Sequence, residues 1–298
     1  MFLPGQARAD CKAQTCIRVG SFNIELLGSQ RKRGGNPISK RSSDDLEELA
    51  DLIGETSELD VVALQEIDTS SRQWRDLKRL LDDQGYSVAI EGTTSARDQF
   101  QVLLYRRDTI TLQQGSAVEV DVSTSYDFGG GCEYEGLRQP LSAKFTAEAF
   151  DFIVMSVHLK SKSARGIPYD CPDDIRSAQV DELIDAADDL KQRFGETDVI
   201  LVGDFNAAED EESLKALADE GFVSQMKFRA DGSGSYSYRK GGNKLIDHVM
   251  INPSATTEFV PRSGFVYLVQ DAELQHHVRR LSDHMPVWSS FYAHNDDD

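Results

Sequence analysis

Residues 199–206 read Val199-Ile200-Leu201-Val202-Gly203-Asp204-Phe205-Asn206. The first four are apolar and mostly β-branched, the pattern of a strand buried on both faces. A glycine follows, then two polar side chains separated by Phe205. Along an extended backbone Asp204 and Asn206 point to the same side. A strand apolar in its body and polar at its carboxyl end describes a site, because open α/β sheets place ligands there. A carboxylate acceptor beside an amide suits holding and deprotonating a water next to a phosphate. The same octapeptide also fits a strand closed by an Asx turn, so its neighbours must decide.

Working outward, Ile17–Asn23 and Asp60–Glu66 are apolar runs that end in an amide and a carboxylate. Gln101–Tyr105 and a segment from Ile110 onward also read as strands. Leu137–Phe145 and Phe150–His158 read as an antiparallel pair, and the second ends in a histidine. Ile246–Ile251 begins with polar groups, and Ser282–Trp288 leads into the last strand. Helices are expected from a cap at Ser43 or Asp44 to about Thr56, over Trp74–Leu81, over Asp173–Phe194 with Gly195 as the stop, and over Glu209–Glu220. With no fixed-period repeat and no linker, this alternation favours one α/β domain with two sheets. The antiparallel neighbours exclude a purely parallel sheet.

The chain has 298 residues, 39% hydrophobic and 28% charged, with a net charge of −19. That composition is globular rather than disordered, and no apolar run approaches the ~20 residues of a membrane span. The acidity disfavours long-range attraction to polyanions. Of the four cysteines, Cys11, Cys16, Cys132 and Cys171, none forms a CxxC pair, which argues against zinc. Two disulfides fit an exported chain. Cys11–Cys16 is the local pairing and Cys132–Cys171 would join two loops; other connectivities, and four reduced thiols, stay open. Ala7-Arg8-Ala9 has the small-x-small form of a signal-peptidase site, although Met1-Phe2-Leu3 is far too short for the apolar region before it. Read as a signal remnant, it makes the protein secreted or periplasmic.

At the strand ends stand Asn23, Glu66, His158, Asp204, Asn206, Asp247, Asp283 and His284. Any one of them is ordinary: a turn asparagine, a core histidine, a capping aspartate. All eight lie at one end of an apolar strand or in the turn beside it. The segments SFNIE (21–25), LQEID (64–68), SVHLKS (156–161), GDFNA (203–207), IDHVMIN (246–252) and SDHMPV (282–287) together resemble the endonuclease/exonuclease/phosphatase superfamily, in that family's order. The resemblance implies a DNase I-like fold, a four-layer α/β sandwich of two packed mixed β-sheets flanked by helices. It would occupy residues 17–293 as a single domain, after an N-terminal segment 1–16 and before an acidic tail 294–298.

The resemblance also implies roles. Glu66 is the principal Mg²⁺ ligand with Asn23 and Asp283 nearby, Mn²⁺ or Ca²⁺ being alternatives; such hard cations take oxygen ligands. Asp204 orients or deprotonates the attacking water, and Asn206 holds a phosphate oxygen. His158 and His284 hydrogen-bond the phosphoryl oxygens, and Asp247 orients His284. Arg138 matches an arginine near the substrate phosphate. In pancreatic-type members a glutamate supports the first histidine; here Gln99 stands about there, which orients His158 without a charge and shifts proton transfer toward His284.

Three loops that follow motif strands are basic, 29–43, 159–166 and 227–244, against the acidic background. Cations gathered around a site supply phosphate affinity and a local electrostatic funnel. The expectation is an exported metal-dependent nuclease acting on DNA, with RNA as a further substrate, endonucleolytic and monomeric, with no protein partner implied. The alternatives within the superfamily are a sphingomyelinase-type lipid phosphodiesterase and a phosphomonoesterase of the inositol-polyphosphate type. A membrane-acting enzyme should expose aromatics on a loop, and only two tryptophans exist. The inositol enzymes carry a Trp where Val202 stands. An alternative of another class is a non-catalytic binding protein on the same scaffold.

Overall fold

The computed structural model describes residues 15–29, 32–33, 36–37, 41–95, 99–164, 166–227, 236–239, 244–267 and 280–296. Two mixed sheets pack face to face. From edge to edge the first runs Phe265–Val266, Val287–Tyr292, Cys16–Leu27, Val61–Ile67, Phe100–Arg106, Tyr86–Glu91. The second runs Val223–Ser224, Asp247–Ile251, Val199–Asp204, Phe150–His158, Leu141–Ala147, Thr111–Leu112, with Val118–Glu119 also on Leu141–Ala147. At the centre of each, two strands run parallel: Cys16–Leu27 with Val61–Ile67, and Phe150–His158 with Val199–Asp204.

Alternation along the strands builds the layers. Val61 and Ala63 face the interior between the sheets, while Val62 and Leu64 face the opposite way, onto the helices that carry Leu46, Leu49, Trp74 and Leu77. Likewise Ile200 and Val202 join the inter-sheet core, whereas Leu201 packs with Val180 and Leu183 of the Cys171–Phe194 helix. The result is four layers, helix, sheet, sheet, helix. Strands covered on both faces read as unbroken apolar runs, which is why they were visible in the sequence.

The boundaries differ from expectation in instructive ways. Ser42, not Ser43 or Asp44, caps the first helix, because Ser42 and Asp45 exchange side-chain-to-backbone bonds in a capping box. That helix ends at Asp51 and passes into a π-turn over Leu52–Thr56. The long helix begins at Cys171 with Pro172 in its first turn, and Gly195 ends it in the left-handed region, at φ 59°. The expected helix 209–220 shrinks to a 3-10 turn at Glu212–Leu214 and Lys215–Asp219. Its first acids are spent locally: Glu209 accepts from Ser224 N and Glu211 from Ala208 N. The strand expected from 137 starts only at Leu141, after Pro140.

Residues 127–132 form the tip of a small hairpin, Ser125–Asp127 with Glu133–Glu135. A Cys132–Cys171 disulfide ties it to the long helix, and Tyr126 Oη donates to Glu182. Cys16 is also disulfide-bonded; Cys11, its expected partner, lies outside the described residues. No helix among the described residues is long and apolar enough to cross a membrane.

Candidate active site

Register brings the site together at one end of the sandwich. His158 lies opposite Asp204, and Asp204 opposite Asp247, on three neighbouring strands. Cys16–Leu27 and Val61–Ile67, parallel in the other sheet, deliver Asn23 and Glu66. Asn23 Nδ2 crosses between the sheets to Asp204 Oδ2, 3.0 Å away and 181 residues on in sequence.

Gly203 lets the sheet close here. A Cβ at this position would lie 1.9 Å from the Val157 carbonyl oxygen, so only glycine fits between the strands. Beyond it the backbone is strained. Asn206 has φ 52°, Glu66 62°, Leu26 56° and Glu25 44°. Non-glycine residues in this region persist only where their surroundings fix them, and they cluster at functional sites. At Asn206 the strain lets its backbone N–H donate to Asp204 Oδ1 (2.9 Å) while its side chain donates to Leu159 O (3.2 Å). At Leu26 it aims the N–H at Glu66 Oε2 (3.1 Å).

Asp204 is the hub. Its Oδ2 lies 3.7 Å from His158 Nε2 and 3.8 Å from His284 Nε2. His158 Nε2 is 3.9 Å from Glu66 Oε1, and His284 Nε2 is 4.0 Å from Asp283 Oδ1. These gaps exceed hydrogen bonds and leave the polar atoms aimed at common space. Behind His284, Asp247 Oδ2 accepts from Nδ1 at 2.8 Å, which fixes the orientation of the ring. Ser282 Oγ donates to Asn23 O and accepts from His284 N, locking the SDH turn onto the first strand.

Electrostatics separate the two histidines. Burial pushes His158 well below its ordinary pKa, and Arg138 and His284 push it further. Burial also works against His284, yet Asp247 and Asp204 prevail and raise it to about 10. Asp204 is raised to about 7, by burial first and then by Asp247; His284, the Asn206 N–H and Asn23 oppose that rise.

Gln99 does not support His158. Its Oε1 accepts from Arg138 at 3.0 Å, and His158 Nδ1 is buried without a hydrogen bond from any of the described residues. Sequence reasoning missed Ser237 and Tyr238. Ser237 Oγ accepts from the N–H groups of Ile246 and Asp247, and the Tyr238 ring lies 4.8 Å from that of His284. Nothing in their local sequence marks them. The basic loops also read differently in three dimensions. Arg41 is buried and donates to the Ile24 and Leu281 carbonyls. Lys160 is buried on the Ser161 and Ser163 carbonyls, and Lys162 pairs with Glu211. Arg31, Lys40, Arg165, Arg229 and Lys240 lie outside the described residues.

The donor set fits a hard divalent cation. Glu66 is partly exposed, and its Oε1 accepts no hydrogen bond among the described residues. Asp204, Asp247 and His284 offer three further ligand atoms within 4.8 Å of one another, but Asp204 has both oxygens hydrogen-bonded and His284 has spent Nδ1 on Asp247.

Two packed mixed sheets thus gather carboxylates, amides and two imidazoles at one end. The chain belongs to the Endonuclease/Exonuclease/phosphatase family, whose model matches residues 20–284. Comparison with curated proteins finds no match by sequence. Among solved structures, the human Nocturnin catalytic domain with bound sulfate is similar at TM-score 0.62 and 18% identity, over 93% of this chain and 94% of that one. TDP2 from D. rerio, complexed with a single-strand DNA product, aligns at TM-score 0.63 and 15% identity, over 93% and 99%. A family protein from Bacteroides thetaiotaomicron aligns at 0.59 and 17%, over 93% and 97%.

Proposed function

We propose that this protein is an exported, divalent-metal-dependent nuclease that cleaves internal phosphodiester bonds of DNA. The observation that carries the reading is the arc Glu66, His158, Asp204, His284, Asp283, with Asp204 at its centre and steps of 3.7–4.0 Å. Glu66, with Asn23 and Asp283, would hold Mg²⁺ or Mn²⁺. The bound cation supplies charge stabilisation at the phosphate oxygens. Asp204, raised toward neutrality, takes a proton from the attacking water. His284, held protonated by Asp247, donates to a phosphoryl oxygen and can pass a proton to the leaving oxygen. His158, kept neutral, contributes a hydrogen bond through Nε2, and Asn206 and Arg138 contact the phosphate. The DNA reading draws on the TDP2 similarity. The Cys132–Cys171 bridge favours export.

A lipid phosphodiesterase is the second reading, because Phe128 (50% exposed) and Tyr169 (93%) project beside the Cys132–Cys171 bridge. Exposed aromatics on a loop are what such an enzyme needs. The test is hydrolysis of closed plasmid, linear DNA, RNA and sphingomyelin vesicles across Mg²⁺, Mn²⁺ and Ca²⁺. Nicking of the closed circle is expected. Turnover of vesicles alone would replace the nuclease reading with the lipid one.

A further inference from the structure

His248 stands next to Asp247 on the same strand, but alternation turns it away from the arc. It is fully buried, and both ring nitrogens are used. Nε2 lies 3.0 Å from the Ala207 carbonyl and Nδ1 lies 2.8 Å from Ser224 Oγ. A carbonyl only accepts, so Nε2 carries the proton. In the neutral ring Nδ1 is then the acceptor, so Ser224 Oγ donates to it while itself accepting from Met226 N at 3.3 Å. Ser224 N in turn donates to Glu209 Oε1 at 2.8 Å. The Phe205 ring meets His248 edge-on, with centroids 5.5 Å apart.

These contacts all converge on the turn after Gly203. The carbonyl that His248 grips belongs to the residue after Asn206, whose φ of 52° is strained. Asn206 N–H in turn holds Asp204 Oδ1. Release of the Ala207 carbonyl would let Asn206 relax and loosen its hold on Asp204 Oδ1, leaving the carboxylate only its Oδ2 bond from Asn23. We infer that His248 is a positioning residue: through Ala207 it locks the strained turn that aims Asp204 and Asn206 into the site. The inference rests on the phosphodiesterase reading above.

The test uses the full chain with Mg²⁺ or Mn²⁺ and bis(4-nitrophenyl) phosphate, a small phosphodiester. His248→Phe keeps the bulk and removes both bonds, while His248→Gln retains an amide donor for Ala207. In His248→Phe, kcat is expected to fall about tenfold or more, since misplacement of a reacting group by an ångström costs up to about 10²-fold. KM should stay within about twofold. His248→Gln should recover most of the loss, and Ser224→Ala should fall between the two. Long-range ¹H–¹⁵N spectra of wild type should show a neutral Nε2–H tautomer, a readout that needs neither activity nor a folded variant. The inference is overturned if folded His248→Phe turns over like wild type, if His248→Gln is as impaired as His248→Phe, or if the tautomer is Nδ1–H. A wild type inert on every phosphodiester removes the functional reading instead, while the tautomer still tests the hydrogen-bond assignment.

Discussion

Asp204 carries the tension between stability and chemistry. Burial, with Asp247 beside it, raises its carboxyl from 3.8 to about 7 in the metal-free protein. A carboxyl raised on folding contributes stability that is fully present below its unfolded value and is lost as pH rises through the folded one. Asp204→Asn removes that loss. With EDTA present, the variant's Tm relative to wild type should climb between pH 4 and pH 7, read by calorimetry, while activity with metal falls about 10²–10³-fold. His284, raised from 6.5 to about 10, likewise stabilises below 6.5 and loses that stability as pH rises through 10. Asp247→Asn should shift this limb to lower pH, visible as earlier alkaline destabilisation. The eight strand-end residues were legible because their types and positions were local facts. That Gln99 goes to Arg138 rather than His158 was not, since it depends on a contact across the fold.

At the scale of elements, strands were readable and the cations were not. A strand buried on both faces announces itself as an apolar run. A lysine in a loop gives no sign of whether it faces solvent. The basic loop 159–166 is expected to gather cations near the site, yet its Lys160 is buried among carbonyls 4.6 Å from the Tyr134 ring. Lys160→Gln should therefore lower Tm by several degrees and leave the salt dependence of DNA cleavage unchanged. A shallower salt slope in that variant would return Lys160 to the substrate path. Gly203→Ala should destabilise by about 3 kcal/mol in denaturant titrations, because its methyl group has no room beside Val157 O. Loss of the Cys132–Cys171 bridge, which closes a 39-residue separation, should cost about 3–4 kcal/mol in the same measurement.

Across the whole molecule, sheet topology does what no motif does alone. The two parallel strand pairs, one in each sheet, end at the same edge of the sandwich. Asn23 and Asp204 meet there from segments far apart in sequence. The motif order was legible, but their convergence on Asp204 required the fold, as did the grip of Ser237 on the Asp247 backbone. On the proposed function, the net charge of −19 opposes a polyanionic substrate, and with Arg41 and Lys160 engaged by carbonyls a metal ion at the site would carry more of the attraction. The most direct measurement is nicking of closed circular DNA by wild type, Asp204→Ala and His284→Ala, with Mg²⁺ or Mn²⁺ and with EDTA. Relaxation by wild type with metal, abolished by EDTA and reduced at least about 10²-fold in both variants, is the predicted result. No cleavage in any metal, or variants that cut as wild type does, would contradict the assignment.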